Sequence, residues 1–195
     1  MILRKMLVFC FLMMSAFLSF AEESLYTIPI PWKDETGLSR MLSQYEGRFV
    51  VITMTYTTCQ SACPLIMKKL RTIQTEVKGF KEVEFVIVTF DPSVDTPQAL
   101  LSYKKAQKID HSNWHFLNGT EEDTRKLSLL LDIGYQKNKQ TGHFMHDNKI
   151  LLLDPKGKIL VTLDGLDVDS APLLKAMGKT PKPSFLEKLR HFLKF

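Results

Sequence analysis

Two blocks of the chain are apolar at nearly every position: FVVITMTY, Phe49 to Tyr56, and VEFVIVTF, Val83 to Phe90. Short runs rich in β-branched and aromatic residues, without polar alternation, predict strands covered on both faces. Between them the period changes. After Pro64, LIMKKLRTIQTEV sets Leu65, Met67, Leu70, Ile73 and Val77 near a 3.6-residue repeat, which predicts an amphipathic helix stopped by Gly79. Beyond the second block, DPSVDTP predicts a turn in which Thr96 caps a helix with Pro97 at its first position, continuing through QALLSYKKAQK. WHFLNGT predicts a short strand and a turn. Thr120 then opens TEEDTRKLSLLLDIG, with acids in the first turn, where the helix dipole favours them, and Gly134 at the close. NKILLLDPKGKILVTL predicts a β-hairpin about Asp154-Pro155-Lys156-Gly157, and a short helix follows over about Asp169 to Met177.

Strands alternating with helices, closed by a hairpin and a helix, predict an α/β chain with one central mixed sheet flanked by helices. The thioredoxin-like fold is the common small architecture of that order. The two ends of the chain carry a different pattern. MILRKMLVFCFLMMSAFLSFAEES places Arg4 and Lys5 before an apolar run from Met6 to Ala21, as in a secretory leader, with Ser19 and Ala21 as the small residues before a cleavage point. A retained membrane anchor is the alternative. The run of sixteen residues reaches about 24 Å as a helix, short of a hydrocarbon core of ~30 Å. Either reading sets the folded part outside the cytoplasm, in a bacterial periplasm, free or tethered to the inner membrane. Cys10 lies inside this run and is assigned to the leader.

The expected organisation is therefore a leader or anchor over 1–21, one domain over 22–178, and a Pro-rich linker with a tail over 179–195. In the tail, Phe185, Leu186, Leu189, Phe192 and Leu193 share a helical face, with Lys188, Arg190 and Lys194 elsewhere. Such a basic amphipathic helix suits docking on the domain or contact with an anionic membrane surface through residues 184–195. Without the leader, 24 basic residues stand against 21 acidic ones, a net of about +3. That is too mild and too evenly spread for a nucleic-acid partner.

Candidate chemistry concentrates in TYTTCQSACP, Thr55 to Pro64. Cys59 and Cys63 are the only cysteines after the leader, set four residues apart between a predicted strand and a predicted helix. A helix start stabilises thiolate over thiol, and the thiolate is both nucleophile and metal ligand. Three readings stay open on spacing alone: a persistent disulfide, a redox pair, or part of a metal site. The loop they close is too short to brace a domain this size by chain entropy. TGHFMHDNKILLLD offers His143, Met145 and His146 directly before the first strand of the closing hairpin. Two thiolates and one imidazole make a soft three-donor set suited to Cu(I), and a fourth donor would accommodate Cu(II). Structural zinc would need both histidines. Copper leads zinc on this ground without excluding it.

Taken together, TYTTCQSACP, TFDPSVDTP, FLNGT and a histidine ahead of a strand ending in DPKG resemble the Sco (SenC) family of copper-handling proteins of cytochrome oxidase assembly, over about Tyr45 to Gly178. The resemblance implies a thioredoxin-like fold in which Cys59, Cys63 and a distant histidine bind one copper ion. It implies delivery of that copper to the copper-accepting subunit of cytochrome c oxidase, for its dinuclear centre, or reduction of the centre's disulfide. Thioredoxin-like or copper-donor proteins are further partners it implies. Counted back from Asp154, the family's histidine is His146; His143 is then an outer or exchangeable donor, and Met145 is expected to pack. Asp91 and Asp95 align with acids near the family's site, although Asp-Pro and Asp-Thr-Pro are also ordinary turn and cap chemistry. Gln60 stands where many members carry proline. His111 and His115 have no counterpart and are expected at the surface or in the core.

Overall fold

The two apolar blocks form the middle of a seven-stranded sheet in the computed structural model, which describes residues 24–80 and 82–178. The predicted leader and the basic tail helix lie outside the described residues. In chain order the sheet comprises β1 (Trp32–Asp34), β2 (Ser39–Arg40), β3 (Phe49–Thr55), β4 (Val83–Thr89) and β5 (Trp114–Asn118), then, after a separate pair, β8 (Lys149–Leu153) and β9 (Ile159–Asp164). That separate pair is β6 (Tyr135–Lys137) with β7 (Phe144–His146), antiparallel to one another. Across the large sheet the order is β2-β1-β5-β4-β3-β8-β9. The middle strands β5, β4 and β3 run parallel, while β1, β8 and β9 pair antiparallel, so the sheet is mixed as the pattern predicts.

Among the described residues three α-helices connect these strands, α1 (Cys63–Glu76), α2 (Pro97–Ala106) and α3 (Glu121–Leu130), and a fourth, α4 (Ala171–Ala176), follows β9. Side chains alternate along β3, so Val50, Ile52 and Met54 join one core with Val88, Leu127 of α3 and Leu151. Val51 joins the other, with Leu70 and Ile73 of α1, Leu100 of α2 and Leu173 of α4. The sheet is thus the middle layer of three, which is why β3 and β4 carry no polar stripe. Each fully buried aliphatic side chain contributes about 1.5–3 kcal/mol, so this double core fixes the ends of β3 and β4 firmly.

The capping chemistry matches the expectation at α2 and α3. Thr96 Oγ1 accepts the Ala99 N–H, and Thr120 Oγ1 accepts the Asp123 N–H. In the β8–β9 turn, the Asp154 carboxylate accepts the N–H groups of Lys156 and Lys158, and Gly157 adopts φ +81°. A methyl group at Gly157 would also meet Ser24 Oγ and the Tyr26 ring at 2.6 Å, so the turn needs glycine twice over.

Two details differ from the sequence pattern. Cys63 is itself the first residue of α1, and the buried stripe is Cys63, Ile66, Met67, Leu70 and Ile73. Leu65, one residue off that stripe, falls on the opposite side and is 49% exposed. The short pairs β1–β2 and β6–β7 are additions, since strands of two or three residues are too brief to display a period. Among the described residues no helix is long and apolar enough to cross a membrane.

Candidate metal centre

At the carboxyl end of β3 the chain leaves the core through Tyr56 and Thr57, turns at Cys59 and enters α1 at Cys63. A buried carboxylate organises this turn. Asp95 accepts the Thr57 N–H at 2.9 Å and the hydroxyls of Thr57 and Thr89, while its own N–H donates to the Asp91 carbonyl at 2.8 Å. Ala62, at the helix cap, has no side chain to offer the first N–H groups. The Cys59 sulfur takes one of them, accepting the Cys63 N–H at 3.4 Å, with the Ser61 hydroxyl 3.9 Å away.

The two thiols are unbonded and electrostatically unlike. Burial opposes ionisation of Cys59, but hydrogen bonds from the Cys63 thiol and N–H and from Ser61 outweigh it and bring its pKa down to about 6. Cys63 is fully buried, and that burial, together with its hydrogen bond to Cys59, pushes its pKa well above the usual thiol value. Of the pair, Cys59 is therefore the sulfur that ionises first, with the remaining proton held by Cys63.

The third donor arrives on β7. Tyr135 and His146 are paired across the small sheet, and at its base Asp147 and Gly134 exchange two hydrogen bonds, Asp147 N–H to Gly134 O at 3.0 Å and Gly134 N–H to Asp147 Oδ2 at 2.8 Å. His146 Nδ1 lies 2.9 Å from the Asp147 carbonyl oxygen, which accepts and so assigns the proton to Nδ1. Nε2 faces the thiols, 3.9 Å from Cys63 Sγ. The imidazole rests against Phe90 at 4.9 Å and edge-on to Tyr56 at 6.1 Å, centroid to centroid. Phe144 packs on Tyr56 at 5.0 Å and its N–H donates to the Tyr56 hydroxyl at 3.3 Å.

The donor atoms of Cys59, Cys63 and His146 all lie within 4.8 Å of one another. Bond lengths of about 2.3 Å to thiolate and 2.0 Å to imidazole put donors about 4 Å apart around a three-coordinate ion. Closing this set on one ion therefore takes less than about an ångström of movement. Two sulfurs and one imidazole in an aromatic-lined corner fit a soft monovalent cation better than a hard one.

Other residues singled out by sequence fall differently. His143 is exposed and outside this set. Met145 is 71% exposed rather than packed, because exposure alternates along the strand and turns Phe144 and His146 inward but Met145 outward. Asp91 and Asp95 bind the site's own loops: Asp95 holds Thr57, and Asp91 receives Lys137. Gln60 is exposed. His115 is structural, 2.8 Å from Glu84 Oε2 and tilted against Tyr45, and His111 is exposed. Cys10 lies outside the described residues. Sequence reasoning did not pick out Lys137, Tyr56, Phe90 or Asp147; the alternation in HFMHD is the signal that sets Phe144 beside His146 on the inner face.

A SCO1/SenC family profile matches residues 28–180. The chain belongs to the SCO1/SenC family. It is similar to the SCO1 protein homolog of Bacillus subtilis, 24% identical over 161 residues that cover 75% of this chain and 83% of that protein. Among solved structures, a SCO1/SenC family lipoprotein of Bacillus anthracis superposes with a TM-score of 0.71 at 24% identity, covering 83% of this chain and 95% of its own. Yeast Sco1 with copper bound superposes with a TM-score of 0.62 at 20% identity, covering 89% of this chain and 91% of its own. At these identities the structures speak for a shared fold, and the thioredoxin-like architecture expected from the sequence is that of the SCO1/SenC family.

Proposed function

We propose that this protein is an extracytoplasmic copper metallochaperone that carries one copper ion on Cys59, Cys63 and His146 to the dinuclear copper centre of cytochrome c oxidase. The observation that carries the reading is the position of His146 Nε2, 3.9 Å from Cys63 Sγ in a ring oriented by the Asp147 carbonyl. Dithiol exchange has no use for such a group, whereas a copper ion held by two sulfurs does. Family membership and the copper held by yeast Sco1 support the choice of cargo. The domain limits of 22–178 and the leader expected over 1–21 belong to the same reading.

Loading begins at Cys59, the more readily ionised and less buried of the two sulfurs. Cu(I) bound there lowers the pKa of Cys63, whose proton leaves to solvent as the second sulfur coordinates. His146 then closes the set through Nε2, the ring nitrogen that the Asp147 carbonyl leaves facing the sulfurs. Release runs in reverse: an acceptor thiolate or imidazole replaces His146 first, because β7 sits on a small outer sheet, and the sulfurs follow by ligand exchange.

A second reading is favoured by the thiol pair itself. A thiolate with a pKa of about 6 beside a protonated neighbour is the arrangement of a dithiol reductant, so the protein could reduce the disulfide of the copper centre instead. One experiment separates the two. The reduced chain, loaded with one equivalent of Cu(I), is mixed with the reduced, metal-free copper-accepting domain of the oxidase, and separately the metal-free chain is mixed with that domain in its disulfide form. Copper transfer in the first mixture supports the chaperone. No transfer, with thiols oxidised in the second, would replace it by the reductase.

A further inference from the structure

The small sheet that carries His146 is tied to the molecule at three levels. At its base is the Asp147–Gly134 pair, and in its middle the rings of Tyr135 and Phe144 lie on Phe90 and Tyr56. At its far end, before the loop 138–142, Lys137 Nζ reaches both carboxylate oxygens of Asp91, at 3.0 and 3.2 Å. The register puts Tyr135, Lys137, Phe144 and His146 on the inward face, and Lys137 is the one cation among them. Its ammonium also lies 5.0 Å from the Phe144 ring centroid.

Asp91 gives this contact leverage. Its side chain is buried, and its other side-chain partner is the Ser93 hydroxyl at 3.0 Å. An exposed ion pair adds little, but a sheltered carboxylate that loses its cation pulls its surroundings apart to reach water. The same turn also grips the loop that carries the thiols, since the Asp91 carbonyl takes the Asp95 N–H and the Asp95 carboxylate holds Thr57. Five residues, 91 to 95, thus bind the histidine sheet at one end and the thiol loop at the other. A two-stranded sheet of three-residue strands is marginal alone, so its position depends on such fixings.

We propose that the Lys137–Asp91 ion pair is a latch that holds the His146 sheet over the thiols, making both positioning residues that set copper retention without touching the ion. The proposal rests on the copper reading above and adds to it how the third donor is kept in reach. Opening the latch lets His146 withdraw while both sulfurs stay in place, which is the order that release to an acceptor requires. The Lys137 side chain is 43% exposed, so a docking partner that offers an anion to Lys137 would open it.

The test uses the full chain and its variants Lys137→Met, Lys137→Arg, Asp91→Asn and His146→Ala, with Lys137→Met also made in the His146→Ala background. Cu(I) retention is read by competition with a chromophoric chelator, and amide hydrogen exchange across β7 is read on the metal-free chains. Lys137→Met and Asp91→Asn should each weaken retention about tenfold, in line with loss of one charge-assisted hydrogen bond. Lys137→Arg should restore it to within about twofold. In the His146→Ala background Lys137→Met should change nothing further. Protection of the β7 amides should fall about tenfold in Lys137→Met while β3 is unaffected. An equal loss of retention with and without His146, or unchanged β7 protection, would overturn the latch. Should the parent chain itself fail to bind Cu(I), the functional reading falls, and the exchange measurement alone still decides whether the latch exists.

Discussion

Cys59 and Cys63 stand where a seven-residue central strand runs into a fourteen-residue helix, whereas His146 stands on a three-residue strand in a sheet of two. The first region inherits the rigidity of two packed cores and a fully buried aspartate. The second is pinned by one ion pair, a few ring contacts, the Phe144 N–H bond to the Tyr56 hydroxyl and a pair of hydrogen bonds at its base. For a carrier this inequality has a use. In the proposed function the sulfurs would supply the steady part of the affinity, and the imidazole a donor that can be withdrawn without unfolding anything.

The contrast breaks most completely at a sulfur. Cys63→Ala removes a donor that nothing nearby can replace, and Cu(I) affinity measured by chelator competition should drop more than about a thousandfold. Next comes the anchor of the rigid half. Asp95→Ala leaves the half-buried Thr57 N–H and hydroxyl and the buried Thr89 hydroxyl without their acceptor. Urea unfolding should show a loss of about 2–4 kcal/mol, with Asp95→Asn costing less. On the adjustable side, His146→Ala should weaken Cu(I) binding about a hundredfold while both thiols remain oxidisable and the unfolding midpoint hardly moves. Equal effects of Asp95→Ala and His146→Ala on stability would contradict the difference drawn between the halves.

The smallest effect concerns the two sulfurs themselves. The thiolate is the reactive form, so alkylation of Cys59 in the metal-free chain should accelerate as pH rises through about 6 and level off by about pH 8, an increase of about tenfold from pH 5. Cys63, raised by burial and by its neighbour, should stay unmodified across that range, as peptide mass mapping would record. A midpoint near the ordinary thiol value for Cys59 would remove the ionised entry point for the cargo.

The extent to which this was legible in sequence follows from length and period. β3, β4 and α1 to α3 announce themselves because each sustains a pattern over several residues, and the thiols because they interrupt one at a strand-to-helix junction. His146 was reachable through its distance from the DPKG turn, a matter of family resemblance and not of local chemistry. Lys137 was not reachable. Its partner Asp91 lies 46 positions away, and a contact of that separation is decided by how β6 folds back over β4, which no local period encodes. Met145 illustrates the opposite error, since an apolar residue between two histidines invites a packed assignment that strand alternation reverses.

X-ray absorption of the Cu(I)-loaded chain, compared with His146→Ala, tests the centre most directly. The account predicts two sulfurs and one imidazole nitrogen around copper in the parent, and loss of the imidazole scattering with retention of both sulfurs in the variant. Identical spectra from the two proteins, or a parent spectrum with sulfur neighbours alone, would contradict it.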